Sequence, residues 1–150
     1  MGMKSREYSK NLTVTLAELK KIKKAQRAMY KNGLVKLEGN TLESILGTVS
    51  TILGLVFVTS TPTGIVAAIT SLVASLGVSA KDALKDMVYT GYFSMDELIE
   101  FLEENPKYSK IQVEFPFIEY YVDGRTIRFV SGEGLVKKVY KENQGWFPVE

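Results

Sequence analysis

Thirty-seven consecutive residues, Ser44 to Ala80, carry no charged side chain. Charged residues make up about a quarter of an average domain, so a neutral run of this length arises by chance in fewer than about one such chain in a hundred. Charge is excluded where a segment is buried in a core, buried in a subunit interface or immersed in lipid. The pattern inside the run is helical. Leu42, Ile45, Leu46, Val49, Ile52, Leu53 and Val56 recur at the three-four spacing of one helix face, and Gly47, Ser50, Thr51 and Gly54 fall on the other. The second limb repeats the design, with Ile65, Val66, Ile69, Leu72, Val73 and Leu76 backed by Ala67, Ala68, Ser71 and Ala74. Pro62 after Thr61 suits a first helical turn, where the missing N–H has no partner to lose. The spacing predicts an antiparallel hairpin of helices at about 41–58 and 62–78. Its small residues form a candidate helix-packing face, because they let two backbones approach closely. Each uncharged limb offers roughly 24–27 Å of helix, short of the about 30 Å of a bilayer core. Burial within the protein, or in a homo-oligomeric interface, is the leading expectation; insertion into lipid is the alternative.

The flanks are charged with a gradient. Residues 1–40 carry ten Lys or Arg against three acids, whereas residues 81–150 carry nine against thirteen. Thr15 and Glu18 have capping-box spacing and open a basic helix over 15–32, with Asn32-Gly33 as its stop. Leu16, Leu19, Ile22, Gln26 and Met29 track one side. Lys20, Lys24, Arg27 and Lys31 track another, reinforced by Lys21 and Lys23. These four are the candidate contact for an anionic partner, either an acidic protein or an anionic membrane. Nucleic acid is the less suited partner, since Tyr30 alone stands beside the lysines and single-strand binders interleave several aromatics with their cations.

After the hairpin, Ser79 with Asp82 and Ser94 with Glu97 predict two short helices within 80–104, parted near Gly91 and ended by Asn105-Pro106. Asp96, Glu100, Glu103 and Glu104 form a solvated acidic face. The period then changes to two. Ile111, Val113, Phe115 and Phe117 alternate with polar residues, and the apolar parity switches to Ile118, Tyr120 and Val122 beyond Pro116, as at a bulge. Asp123-Gly124 is a two-residue hairpin turn. It sets Glu119 opposite Arg128, an expected ion pair, with Ile118 opposite Phe129 and Tyr120 opposite Ile127. SGEG at 131–134 predicts a second turn and a three-stranded antiparallel β-meander over about 110–141. Trp146 and Phe147 are expected to pack back on the domain. The fold class is α+β, one domain of about five helices followed by the meander.

The chain has no Cys and no His. Thiol catalysis, disulfides and Cys/His metal sites are excluded, and no Ser-x-x-Lys or phosphate-loop pattern is placed to act. The expectation is a protein without catalytic, metal or cofactor residues. Absence of Cys fits the cytoplasm, with membrane association as the alternative. An uncharged helical hairpin at 41–80 between charged amphipathic helices resembles the layout of pore-forming bacterial toxins and phage holins, a resemblance that implies membrane activity. The composition favours a non-catalytic assembly or interaction protein, partnered with itself or with another protein.

Overall fold

The computed structural model describes residues 3–46, 51–59 and 61–149. It is an α+β fold, as expected, and is built on one long strand. With strands numbered in chain order, β2 (Tyr108–Val122) runs through the middle of the sheet. β1 (Lys4–Val14) lies antiparallel along one of its edges, from Lys4 opposite Tyr121 to Val14 opposite Ile111. The other edge is shared in tandem by β3 (Arg125–Val130) and β4 (Leu135–Lys141). β5 (Gly145–Pro148) extends the sheet beyond β4.

The expected three-stranded meander is therefore corrected to a sheet of five strands among the described residues. Asp123 and Gly124 form the expected turn, with φ 51° and 73°, and the predicted cross-strand register holds. SGEG is not a second turn. β4 pairs with β2, not with β3, and continues in the direction of β3, so residues 131–134 interrupt a single edge. Pro116 supplies a reason: it has no N–H to donate, and opposite it the edge is held by the Ser131 N–H donating to the Pro116 carbonyl at 2.9 Å. The parity switch is not a bulge of β2, because β1 stays in continuous register past Pro116. Buried positions run 111, 113, 115 and 117, then 118, 120 and 122, so both sheet faces are covered where the switch occurs. β1 carries little sequence signal, since its exposed, mostly polar residues include just two fully buried ones, Leu12 and Val14. Trp146 and Phe147 belong to β5 and stay 40% and 39% exposed.

The helices follow their caps. α1 (Leu16–Met29) opens with the predicted capping box: the Glu18 N–H donates to Thr15 Oγ1 at 3.2 Å and the Thr15 N–H to Glu18 Oε1 at 2.9 Å. It does not stop at Asn32-Gly33 but continues as a π-helical turn, Tyr30–Val35. Gly33 serves close packing instead, since a Cβ there would lie 3.1 Å from Ile69 Cγ2 and 3.4 Å from Leu42 Cδ2. The first hairpin limb comprises α2 (Gly39–Leu46) and α3 (Thr51–Phe57), and the second is α4 (Pro62–Ser75). Thr61 caps α4 by accepting from the Gly64 N–H at 3.0 Å. The two short helices expected at 80–104 are one helix, α5 (Val78–Glu104), 27 residues long. Among the described residues the helical units are thus four, not five. Ser94 caps nothing; its hydroxyl donates to the Thr90 carbonyl one turn back, at 2.6 Å.

Most of the described hairpin stripe is interior; Ile45, Val66, Val73 and Leu76 are half-buried, and Val49 lies outside the described residues. Leu42, Leu46, Leu53, Val56, Ile65, Ile69 and Leu72 are essentially inaccessible and share one core with Phe115, Phe117 and Phe129 of the sheet. An 18-residue window within Ile52–Ser75 has a mean hydropathy of 1.9, enough by length and composition alone to cross a membrane, and 41% of that window is buried. The described residues of Ile52–Ser75 form two helices, parted where Val58 adopts φ 75°.

Two backbone positions give testable consequences. A Cβ on Gly91, mid-helix in α5, would fall 1.8 Å from the Val130 carbonyl oxygen, whereas one on Gly77 would meet nothing within 4 Å. Overpacking costs about 1–3 kcal/mol where flexible groups yield, and a strand backbone yields least. Gly91→Ala is expected to lose at least about 3 kcal/mol in urea titrations, with Gly77→Ala, where loss of the N-cap glycine of α5 is opposed by a less flexible unfolded chain, within about 1 kcal/mol of wild type. A two-state loss below about 1 kcal/mol for Gly91→Ala would contradict the described contact. Val58 is β-branched in the left-handed region, which costs roughly 1–2 kcal/mol. Val58→Gly is expected to raise stability by about 0.5–1 kcal/mol in the same assay, the relief being partly offset by glycine's unfolded-state entropy.

Candidate functional site

α1 and α5 pack side by side because α1 buries Leu19, Ile22, Ala25, Gln26 and Met29, while α5 buries Leu84, Val88, Tyr92 and Met95. The outer flank of α1 is left with its cations. Lys20 pairs with Glu103 at 3.4 Å, and Lys23 pairs with Asp96. Lys24, Arg27 and Lys31 are exposed and have no carboxylate within 4.0 Å among the described residues. Beside Arg27 and Lys31 stand the aromatics of α5. Tyr89 and Phe93, one turn apart, stack with centroids 5.7 Å apart and planes 13° off parallel. Tyr30 meets both Tyr89 and Tyr92 at 5.7 Å. Phe93 is 58% exposed and Tyr89 44%. Burial pushes the Tyr92 phenol above its ordinary value of 10.0, and the nearby Arg27 guanidinium only partly opposes this, so the hydroxyl is neutral at physiological pH.

Three depressions of about 340, 410 and 440 Å³ follow one another along this flank. The first two share Lys23, Arg27 and Asp96, and the last two share Tyr30 and Lys31. They form one groove, in which the second and third depressions combine cations with rings and Asp96 lines the first two. All four predicted contact residues are on this flank, although Lys20 is partly neutralised. Tyr89, Tyr92 and Phe93 were missed. The signal was present in the sequence as aromatics at one-turn spacing, but the presumed helix end near Gly91 divided them.

The predicted helix-packing face is distributed. Ala68 is fully buried, Gly54, Ala67 and Ser71 are half-buried, and Ala74 is exposed. Gly47 and Ser50 lie outside the described residues, as does the side chain of Thr51.

A second polar cluster fixes the hairpin to the sheet. Arg128 of β3 is 5% exposed. Its Nε donates to the Val56 carbonyl, one terminal nitrogen donates to the Leu55 carbonyl and the other to the Tyr8 hydroxyl, each at 2.8 Å. A guanidinium thus caps the C-terminal end of α3, where carbonyls lack helical partners and the helix dipole is negative. The Tyr8 hydroxyl donates onward to Glu119 Oε1 at 2.6 Å, and Arg6 Nε donates to Glu119 Oε2 at 2.8 Å. The predicted ion pair between Glu119 and Arg128 is thereby corrected: the register is right, but Tyr8 stands between them, and Glu119 pairs with Arg6 of β1. Burial alone would raise the Glu119 carboxyl. The hydrogen bonds from Tyr8 and Arg6, with the charges of Arg6 and Arg128, outweigh it and hold the group below its ordinary 4.5.

The opposite case lies where α5 faces residues 131–134, beside a depression of about 430 Å³. A hydrogen bond to Glu133 and the charge of that carboxylate hold Glu97 above its ordinary 4.5. Among the described residues no three His, Cys, Asp or Glu side chains are grouped to hold a metal. No known protein family, curated protein or solved structure matches this chain.

These two carboxylates predict opposite pH behaviour. The stability contributed by Glu119, whose folded value is lowered, is present above the unfolded value and lost as pH falls through the folded one. Glu97, whose folded value is raised, contributes below the unfolded value and loses that contribution as pH rises through the folded one. Glu119→Gln is expected to lower Tm at neutral pH and flatten its fall below about pH 4.5. Glu97→Gln should raise Tm at neutral pH, with the gain vanishing on acidification. Calorimetry from about pH 3 to about pH 7 checks both signs.

Proposed function

We propose that this chain is a non-catalytic interaction protein that folds around its own uncharged hairpin and docks an anionic partner in the groove between α1 and α5. One observation carries the reading: Lys24, Arg27 and Lys31 are exposed without carboxylate partners among the described residues, and Arg27 and Lys31 line the same depression as the exposed rings of Tyr89 and Phe93, with Lys24 beside Arg27 in the next one. Cations needed only for solubility would do as well scattered among acids. Concentrated on one flank, they raise the local potential for an anion. The burial of Leu42, Leu46, Leu53, Val56, Ile65, Ile69 and Leu72 supports a core role for the described part of the hairpin. A second reading, insertion of the hairpin into lipid, is favoured by the hydropathy of Ile52–Ser75. It requires the Arg128 contacts to Leu55 and Val56 to break, leaving a guanidinium and two carbonyls without partners.

The test is recovery without detergent, sizing by light scattering, and retention on immobilised heparin as a generic polyanion. The expected result is a soluble, monodisperse species whose elution salt falls sharply in a Lys24→Glu, Arg27→Glu, Lys31→Glu variant. A charge-matched Lys4→Glu, Lys10→Glu, Lys138→Glu variant should elute close to wild type. Equal losses in both variants would refute the groove. Recovery only in a salt-resistant, detergent-soluble membrane pellet would replace this reading with the lipid one.

A further inference from the structure

We infer that the anionic partner of the α1–α5 groove is single-stranded nucleic acid, an identification that rests on the docking proposed above and specifies its chemistry. An acidic protein would need only the cations. The groove adds flat π-surface at the same level. Phe93 and Tyr89 stack nearly parallel, and Phe93 remains 58% exposed, which leaves ring surface for a base. Base–aromatic stacking does not depend on base identity, while Lys and Arg neutralise the phosphates, and the pairing of the two is the general device for holding single strands. The combination matters. Along α1, Lys23, Arg27 and Lys31 recur at four-residue intervals, with Tyr30 and the α5 rings set among them. From Lys20 to Lys31 the helix rises about 17 Å, a length suited to the short end of single-strand sites, which begin at about 4 nucleotides.

An anionic membrane is the competing occupant, and the shape disfavours it. Interfacial helices bury a protruding apolar face in the headgroup boundary, whereas Tyr89, Tyr92 and Phe93 line a depression shared with Lys23, Arg27, Lys31 and Asp96. The expectation drawn from sequence, that only Tyr30 accompanies the lysines, fails because Tyr89, Tyr92 and Phe93 come from a helix about sixty residues away. A second basic and aromatic patch, on β4 and β5, is a weaker candidate. There Lys110 already lies 4.5 Å from the Tyr140 ring centre and 5.8 Å from that of Trp146, so the chain's own cation occupies the π-surface.

The experiment is fluorescence anisotropy of the full chain with labelled oligothymidylate and oligouridylate of about 12 nucleotides. It is run from about 50 to about 200 mM salt, beside flotation with phosphatidylserine-containing vesicles and competition by polyglutamate. Three cation–phosphate contacts predict a log–log salt slope near −2, or roughly a 20-fold loss of affinity across that range. Phe93→Ala should weaken binding by roughly 5- to 150-fold, the range for one lost stacking partner. Lys24→Glu with Arg27→Glu should weaken it more than about tenfold. Lys10→Glu and Trp146→Ala should match wild type, with circular dichroism melts confirming that every variant is folded. Oligonucleotide binding that survives Phe93→Ala, that is lost equally in Trp146→Ala, or that polyglutamate displaces at equal charge concentration would overturn the inference. So would absence of oligonucleotide binding. If groove-dependent heparin retention persists in that case, the docking site stands and only the nucleic acid is wrong. If vesicles bind and the same variants abolish it, the partner is a membrane surface. If no polyanion binds, both readings fall together.

Discussion

The arrangement of this fold depends on one buried carboxamide. Gln26 is fully buried, on the face of α1 that otherwise carries Leu19, Ile22 and Met29. Its Oε1 accepts from the Val130 N–H at 2.9 Å, while its Nε2 donates to the Val130 carbonyl at 2.7 Å and to the Val88 carbonyl at 3.0 Å. The side-chain amide thus stands in for a neighbouring strand at the last residue of β3 and reaches α5 with its second proton. An unsatisfied buried backbone group costs about 1–3 kcal/mol, so an apolar residue of the same size would strand the Val130 N–H and carbonyl together. Gly91 completes the junction by letting the α5 backbone come against that same carbonyl. Three elements distant in sequence meet at this point, and the spacing of α1 from α5, hence the width of the groove, follows from it.

The hairpin is held by the same kind of device. The sheet does not merely cover α3 with apolar surface. It sends a buried cation to the carbonyls of Leu55 and Val56, and Thr59 Oγ1 adds a bond to the Thr126 carbonyl at 2.7 Å. Val58 bears its positive φ between these two attachments, as expected of strain that persists only where the surroundings fix it. Phe117 lies beneath the guanidinium, 4.1 Å from its ring centre, and Tyr8 links it to Glu119. β1 therefore does more than lengthen the sheet, since it carries Tyr8 and Arg6 to the cluster that balances the buried charge.

What could be read in sequence were features fixed by local chemistry. The Thr15 capping box, Pro62 at a first turn, Asp123-Gly124 and the register it sets all depend on a few adjacent residues, and all stand as expected. The errors share one cause: residues whose role is set by a distant partner mimic local signals. Gly91 and Gly33 resemble helix ends, yet each is a glycine because another element presses on it. Ser94 and Glu97 match a capping box, yet α5 runs through them, stabilised by the burial of Leu84, Val88, Met95 and Leu98 on one continuous face. Gln26 and Arg128 show as polar interruptions in apolar patterns, and only their tertiary partners explain them. Of the groove, its cations were legible because helical periodicity places them. Its aromatic half went unread, because Gly91 resembles a helix end that divides Tyr89 from Tyr92 and Phe93, and nothing local relates α5 to α1.

The cations on α1 are more than a fold requires. The buried face of that helix is fixed by the sheet and the hairpin, but its outer face is constrained only to be soluble, and mixed charge would serve better. Between Glu18 and Lys36 every charged residue is positive. Lys20 with Lys24, Lys23 with Arg27, and Arg27 with Lys31 are like-charge pairs one turn apart, each destabilising by about 0.2–0.5 kcal/mol. The acids of α5 compensate only where they reach. Glu103 and Asp96 meet Lys20 and Lys23, but the next turns of α5 toward its N-terminus present Phe93 and Tyr89 where further carboxylates could have stood. The repulsion is therefore left unrelieved along the aromatic part of the groove, where an anion with flat, stackable groups would remove it and cover the exposed rings in the same act.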